Sequence, residues 1–307
     1  MPSTRQGSIH LFRFAGIDVF LHWSWFLVAV YEIQSRKGSY SSVMWNVFEY
    51  LALFMIVLTH EFGHALACRQ VGGRANQIIL WPLGGIAYVD PPPRAGATLW
   101  SIAAGPLVNV VLIPILASLA MFSGDELWVN GLPNTRGLLP TIFWINFGLL
   151  AFNILPIYPL DGGQILRSLL WFVFGRARSL MVAAVIGLIG AIGFIAWAVL
   201  DQSIWMGAIA AFVLLNCWSG LQQARALLRL SKIPRREGYS CPTCHAAPPL
   251  GTYWKCRNCG QPFDSFATAA ACPNCHSQFP ATQCLDCGRQ HPSHEWASVT
   301  LAGVGTR

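Results

Sequence analysis

Charged residues are scarce in this chain: they make up 11% of its 307 residues, whereas 54% are hydrophobic. About a quarter of the residues of a soluble globular protein are charged, so the composition argues against that class. The basic residues give a net charge of +7, but they are scattered at the ends of apolar segments and form no stripe that would favour a nucleic-acid partner. A repeat at a solenoid period and a low-complexity tract are also lacking. A membrane protein is the class that remains.

Long apolar runs are abundant instead. A helix needs about 20 apolar residues to span a bilayer core, and six candidate spans lie near residues 16–34, 44–69, 99–122, 138–160, 180–200 and 203–224. Six spans place both termini on one side, and the segments assigned to that side carry most of the arginines. The positive-inside rule therefore predicts a multi-pass protein of the cell membrane with both termini in the cytoplasm. No cleavable signal peptide is expected, because the first dozen residues are polar and mixed.

The second apolar run contains the sequence His60-Glu61-Phe62-Gly63-His64. Histidines four residues apart project from one face of a helix, so both imidazoles can reach one zinc ion, with Glu61 beside the metal as a base. A polar cluster that merely joins helices is the alternative. Ionisable groups in a span cost roughly 2.5 to 3.5 kcal/mol each on insertion scales, which disfavours such a cluster without a role. The motif therefore predicts a catalytic zinc site.

A catalytic zinc usually has three protein ligands and keeps a fourth position for water, so one ligand must come from elsewhere. The acids near span ends are Glu32, Glu49, Asp90, Asp161 and Asp201. We prefer Asp161, because two prolines and a glycine pair interrupt the fourth span just where this residue stands. Broken helices at membrane depth occur where the backbone lines a cavity or site. Considered alone, the aspartate would be explained better as a helix cap, and the need for a third ligand reverses that preference.

At this point the chain resembles the site-2 protease family of intramembrane zinc metalloproteases over roughly its first 230 residues. The resemblance rests on three segments, which are His60-Glu61-x-x-His64, Gly105-x-x-x-Asn109 and Asn153-x-x-Pro156-x-x-Pro159-x-Asp161-Gly162. It implies that His60, His64 and Asp161 bind the catalytic zinc and that Glu61 is the catalytic base.

The resemblance also implies a catalytic part for Asn153. Its amide could hydrogen-bond the substrate backbone or the developing oxyanion, but a hydrogen bond between helices is an equally good explanation. Close helix packing is the favoured explanation for Gly105 and Asn109, since small residues let helices approach. For His22, a proton relay is weighed against a satisfied core histidine, and the core role is favoured.

Residues 75–93 follow the metal-binding segment and show two short strand patterns around Gly84 and Gly85. An exposed edge of this hairpin could receive an unwound substrate by strand addition, whereas an interfacial loop anchored by Trp81 and Tyr88 is the alternative. The predicted fold class is an all-α polytopic membrane protein with one short hairpin-like loop and small C-terminal zinc ribbons.

Four Cys-x-x-Cys knuckles occupy the last part of the chain. Their cysteines are Cys241, Cys244, Cys256, Cys259, Cys272, Cys275, Cys284 and Cys287. Eight cysteines at this spacing predict two structural four-cysteine zinc sites. The simplest pairing joins the first knuckle to the second and the third to the fourth, with an interleaved pairing left open. Disulfides are the competing interpretation, but a cytoplasmic position disfavours them.

The predicted domains are a membrane-embedded zinc metalloprotease domain over residues 1–237, tandem zinc ribbons over 238–291 and a flexible tail over 292–307. The predicted function is endopeptidase cleavage within or near transmembrane segments of membrane-protein substrates, with lipid as the surroundings. One catalytic and two structural zinc ions are expected, and the ribbons are expected to dock a protein partner or to gate access. A catalytically silent membrane adaptor is the alternative, but no predicted ligand or base is missing. Metal transport would require polar constellations on several spans.

Overall fold

The computed structural model describes residues 7–81, 84–122 and 135–296. The first elements are β1 (Ser8–Phe14), β2 (Ile17–His22), α1 (Trp25–Ser35), α2 (Val43–Gln70), β3 (Arg74–Trp81), β4 (Gly84–Asp90) and α3 (Ala95–Phe122). They are followed by α4 (Thr135–Asn153), α5 (Asp161–Leu200), α6 (Ile204–Ser231), β5 (Trp254–Lys255), β6 (Pro262–Phe263), β7 (Ala281–Gln283) and β8 (Gln290–Pro292). The chain divides into two units, Met1–Leu221 and Gln222–Arg307.

Three of the described helices, α2, α3 and α5, are long and apolar enough to cross a membrane. Helix α4 adds a shorter apolar stretch, Gly137–Asn153. The predicted count of six spans is therefore not confirmed. The first predicted span, residues 16–34, is wrong as a membrane helix, because β2 occupies its beginning and α1 has only 11 residues. Alternating Ile17 and Val19 pack one face of a strand, although hydropathy alone counts them as part of a longer apolar run.

A four-stranded sheet takes the place of the isolated hairpin, so the expectation of an all-α membrane unit is corrected to mostly helical. The strand order is β1-β2-β3-β4, with β2 and β3 parallel and the two outer pairs antiparallel. Strands β3 and β4 form the predicted hairpin, whose turn residues 82–83 lie outside the described residues. Strand β2 pairs with a strand more than fifty positions away, which local sequence pattern does not reveal. The sheet covers α2 through a shared core that includes Val19, Ile78 and Leu80.

Helices α2 and α3 cross closely because small residues meet at the crossing. A Cβ added at Gly63 would lie 2.7 Å from the carbonyl oxygen of Ala104 and 2.9 Å from a methyl group of Val108. Only glycine permits this approach. The approach sets one face of α3 against the segment of α2 that carries His60 and His64.

The break between α4 and α5 is packed against its neighbours. A Cβ at Gly162 or at Gly163 would run into the backbone of residues 154–158, so the glycine pair allows the chain to fold tightly under the break. Cys217 of α6 donates its thiol proton to the carbonyl oxygen of Tyr158 at 2.7 Å. Asp161 is the first residue of α5, and the segment that leads to it is fixed by close backbone packing.

The second unit corrects the predicted tail. Residue 292 ends β8, and Ser293–Trp296 form a 3₁₀ turn. Trp296 is fully buried and packs in a cluster with Cys241 and Cys284. A module of this size has little apolar core, and the indole supplies much of the apolar volume that it needs. Residues 297–307 lie outside the described residues. The predicted boundary at residue 237 stays a prediction.

Candidate metal centre and active site

Three potential metal ligands lie close together, two of them on α2 and the third at the start of α5. The Nε2 atoms of His60 and His64 are 3.1 Å apart. Asp161 places Oδ2 3.0 Å from the His60 nitrogen and 3.3 Å from the His64 nitrogen. The two histidine side chains are 7% exposed and the aspartate side chain 14%. The structure thus brings together the three ligands that the sequence predicts.

The arrangement fits a zinc ion. Tetrahedral zinc with bonds of about 2.0 to 2.1 Å holds its ligand atoms about 3.3 to 3.4 Å apart, close to the separations of these three atoms. Both rings use Nδ1 for other hydrogen bonds, so neutral rings aim two nitrogen lone pairs and a carboxylate oxygen at one point. Such a set is mutually repulsive unless a cation joins it.

Helix α3 orients both histidine rings. Ser101 accepts a hydrogen bond at its carbonyl oxygen from His64 Nδ1 at 2.9 Å. Asn109 Oδ1 lies 2.6 Å from His60 Nδ1. Ser101, Gly105 and Asn109 recur every fourth residue and therefore share one helix face. Each imidazole is held through Nδ1, which leaves Nε2 for the metal.

Gly105 and Asn109 differ in their outcomes. A Cβ at Gly105 would collide with the His64 ring, so close packing is confirmed as the role of this glycine. The same explanation is incomplete for Asn109, because its amide hydrogen-bonds His60 directly. The sequence shows that Asn109 is a polar residue within an apolar helix, but it does not show that its partner is His60.

Glu61 lies between the metal ligands and the edge of the sheet. Its Oε2 accepts a hydrogen bond from the backbone N–H of Ala87 at 2.9 Å. A Cβ at Gly85 would overlap the Glu61 carboxyl group, so β4 passes directly over this side chain. Glu61 is 6% exposed, and the hydrogen bond from Ala87 is the one that holds its carboxylate among the residues that the structure describes. That position suits a base that acts beside a metal.

Two other predicted residues are not joined to this centre. Asn153 ends α4, and within the described chain no hydrogen bond links its side chain to His60, Glu61 or Asp161. His22 stacks on Trp81 with ring centroids 4.3 Å apart and hydrogen-bonds Ser24 at 2.5 Å. A satisfied structural histidine is therefore the better description of His22.

Glu49, one of the acids weighed as a third ligand, belongs to a separate polar cluster. Arg36 forms an ion pair with Glu49, with Nε 3.0 Å from Oε1, and it donates a hydrogen bond through Nη2 to Oε2 at 3.3 Å. The Tyr40 hydroxyl donates to the same carboxylate at 2.6 Å. The carboxylate is paired, so it is not available to the histidines.

The eight cysteines form two groups in a nested order. Cys241, Cys244, Cys284 and Cys287 form the outer group, and Cys256, Cys259, Cys272 and Cys275 form the inner group. The predicted sequential pairing is therefore wrong. The first knuckle joins the fourth and encloses a module made by the second and third, an order that equal spacing of the knuckles could not distinguish.

The sulfur distances fit zinc and not disulfides. Within each group, sulfur atoms of one knuckle lie 3.5 to 3.7 Å from sulfur atoms of the other knuckle. Tetrahedral zinc with bonds of about 2.3 Å requires about 3.75 Å between sulfurs, whereas a disulfide requires about 2.05 Å. A hydrogen bond with the Ser277 hydroxyl, 3.2 Å from Cys275 Sγ, is the largest contribution that lowers the pKa of this thiol to about 5. The thiolate is the form that binds zinc.

The four knuckles share one backbone geometry. The residue four positions after the first cysteine of each knuckle donates its N–H to that cysteine's carbonyl oxygen. These residues are His245, Gly260, His276 and Gly288, all with φ between 57° and 80°. The turn is therefore repeated four times, and two histidines adopt a left-handed conformation that usually requires glycine.

Comparison with known proteins identifies relatives of the helical unit. A sequence profile described as peptidase family M50 matches residues 48–129 and 134–197, a match that ends before the first cysteine knuckle. The chain is similar to a solved structure, the site-2 protease from Methanocaldococcus jannaschii, with 31% identity and a TM-score of 0.53. That similarity covers 70% of this chain and 95% of the other.

Two curated proteins are also similar. A zinc metalloprotease of Methanocaldococcus jannaschii is 33% identical over 208 residues, which is 67% of this chain and 58% of the relative. Stage IV sporulation protein FB of Bacillus subtilis is 32% identical over 120 residues, 38% of each protein. The chain thus spans less than two thirds of the length of these curated relatives.

Proposed function

Because the chain belongs to the site-2 protease family, peptidase family M50, we propose that it is a zinc endopeptidase that cuts membrane proteins within or near their transmembrane segments. The observation that carries this proposal is the convergence of His60, His64 and Asp161 beside Glu61 in helices long enough to cross a membrane. A site within membrane-crossing helices can reach substrates that lie in the bilayer. We propose these three residues as the ligands of the catalytic zinc.

Glu61 supplies the proton chemistry in this proposal. Zinc, when bound, makes water acidic enough to lose a proton near pH 7 and polarises the peptide carbonyl. Ala87 holds Oε2 of Glu61, which presents the carboxylate in a fixed orientation next to the ligands. Glu61 then takes the proton of the attacking water and passes it to the leaving amine. Asn153 stays a candidate for contact with the substrate, since its position at the end of α4 precedes the break that leads to Asp161.

Replacing Glu61 by Gln is expected to lower the cleavage rate by roughly 10²- to 10⁴-fold, because the amide cannot accept the proton. The neutral side chain keeps the shape of the original and is no metal ligand, so zinc content should not change. Membrane-protein fragments are compared by mass spectrometry in cells that make the intact chain and in cells that make the variant. Fragments that end within spans and depend on Glu61 identify substrates. Equal fragment profiles from two proteins with equal zinc content would instead support the membrane adaptor.

We further propose that the outer edge of β4 receives the unwound substrate. Strand β4 is last in the sheet, and its Ala87 N–H points to Glu61 instead of to β3. Backbone groups two residues away, at Gly85 and Val89, share that direction along a strand. A substrate strand added at this edge would pass beside Glu61. Transmembrane helices hide their carbonyls in their own hydrogen bonds, so such pairing also stabilises the unwound form.

Strand addition predicts a two-residue pattern of sensitivity in the substrate. Peptides that cover a cut site identified by the Glu61 comparison are N-methylated one residue at a time and cleaved in lipid vesicles. Each lost backbone hydrogen bond is worth about 0.5 to 1.5 kcal/mol, or roughly a twofold to tenfold lower rate. Alternate positions should be sensitive, and the positions between them are the matched controls. Uniform sensitivity, or none, would exclude pairing with β4.

The cysteine groups and the membrane position complete the proposal. We assign one structural zinc to each cysteine group and keep the docking of a protein partner as the role of the ribbons. The distribution of arginines supports cytoplasmic termini in the cell membrane.

A further inference from the structure

A buried pair of asparagines lies behind His60. Asn109 of α3 and Asn146 of α4 are both fully buried. Asn109 donates through Nδ2 to Asn146 Oδ1 at 2.8 Å, and Asn146 donates through Nδ2 to the backbone carbonyl oxygen of Asn109 at 3.0 Å. The remaining amide atom of Asn109, Oδ1, faces His60 Nδ1 at 2.6 Å. The three residues therefore form one chain of hydrogen bonds across three helices.

The direction of this chain is set at its far end. A backbone carbonyl can only accept, so the group of Asn146 that faces it must be the NH₂ donor. The oxygen of Asn146 is then turned to Asn109 and must accept from its NH₂ group. That leaves the Asn109 oxygen for His60, whose Nδ1 must carry the proton. The Nε2 lone pair of His60 is thereby directed at His64 and Asp161.

We propose that Asn146 is a positioning residue for the metal centre, because it prevents the Asn109 amide from turning over. A reversed amide would donate to Nδ1 of His60, and the ring proton would then sit on Nε2, where it blocks a metal bond. Asn146 acts through Asn109 and does not itself contact a ligand atom. This inference rests on the proposed function only in that His60 is taken as a zinc ligand.

Two substitutions separate this role from helix packing. Asn146→Leu removes both hydrogen bonds, so the amide of Asn109 can take either orientation, and affinity for zinc at the centre should fall about tenfold, at the lower end of losses typical of supporting partners. Asn146→Asp should restore it to within about twofold. A protonated carboxyl group donates to the Asn109 carbonyl and accepts from its NH₂ group as the amide does, and an ionised one still accepts. Packing alone predicts the opposite order, since buried Asp is costlier than Leu in an apolar span.

The measurement is zinc retained per full-length chain, in detergent, across a series of chelator concentrations. The ion at the centre is identified as the one that His60→Ala lacks. Asn46→Leu is the matched control, because Asn46 is a buried amide of α2 that donates to the carbonyl oxygen of Arg36, away from the histidines. Its zinc retention should equal that of the unchanged chain. Asn146→Ala repeats the test if the leucine variant does not fold.

Several outcomes overturn the inference. Retention of zinc by Asn146→Leu at the original level does so, and so does an equal loss in the leucine, aspartate and Asn46 variants, which would indicate general destabilisation. If the unchanged chain and His60→Ala hold the same zinc, the metal centre and this inference both fail. If the Asn146 pattern appears but no substrate is cut, the proposed protease activity fails while the positioning role stands.

Discussion

Replacing Asp161 by Ala is expected to remove the zinc ion that His60, His64 and Asp161 would hold, and to abolish peptide cleavage. The two histidines alone provide fewer than the three protein ligands that a catalytic zinc site usually has. The loss of activity should be at least as large as the roughly 10²- to 10⁴-fold loss expected for the Glu61 variant, because zinc supplies both water activation and carbonyl polarisation. Zinc per chain should fall from three ions, one for each ligand group, to two.

The matched control is Asp201→Ala. Asp201 is another of the acids near span ends, and it caps the C-terminal end of α5, beyond a break in the helix at Gly175. Its replacement should leave zinc content and cleavage unchanged. Zinc content by elemental mass spectrometry and cleavage in lipid vesicles are measured on both proteins. A chain without the Asp161 carboxylate that still carried three zinc ions and cut its substrate would show that the centre is not built as proposed.

Pairs of serine substitutions in the cysteine knuckles should divide by the nested order. Cys244→Ser combined with Cys284→Ser affects the outer group alone and should cost one zinc ion per chain. Cys244→Ser combined with Cys259→Ser affects both groups and should cost two. A sequential pairing of knuckles predicts the reverse. Structural zinc contributes about 10 to 16 kcal/mol of apparent binding free energy in modules of this size, so each loss should also unfold the affected module.

Cys68→Ser and Cys217→Ser provide the controls, because neither cysteine belongs to a group and both should leave three zinc ions in place. Limited proteolysis reports which module has unfolded. Cleavage by the same proteins tests the proposed docking role of the ribbons. A chain with both modules unfolded that cut its substrates at the original rate would exclude this role. Equal zinc loss from the two double variants would contradict the nested arrangement.

The sequence predicts the residues of the candidate centre where the chemistry is local, and the structure places these residues together. The spacing of His60 and His64 follows directly from the period of a helix. The sequence points to Asp161 because a break in an apolar run leaves backbone groups without hydrogen bonds, which is costly in a membrane. The hydrogen bonds of Asn146 to Asn109 could not be predicted from sequence. A polar residue in a span indicates that a partner exists, but it does not identify the partner. Its partner on α3 is 37 positions away in sequence.

The sequence by itself determined the class of protein, the residue types of the candidate ligands and the number of cysteine knuckles. Each of these depends on residue identity or on spacings within one turn or one knuckle. Only the tertiary structure decided that β2 joins a sheet with β3 and β4, that the knuckles pair in nested order, and that Asn146 hydrogen-bonds Asn109 behind His60. These arrangements depend on which distant segments pack together. Equal local patterns are compatible with several such packings, and close approach at residues such as Gly63 and Gly105 selects among them.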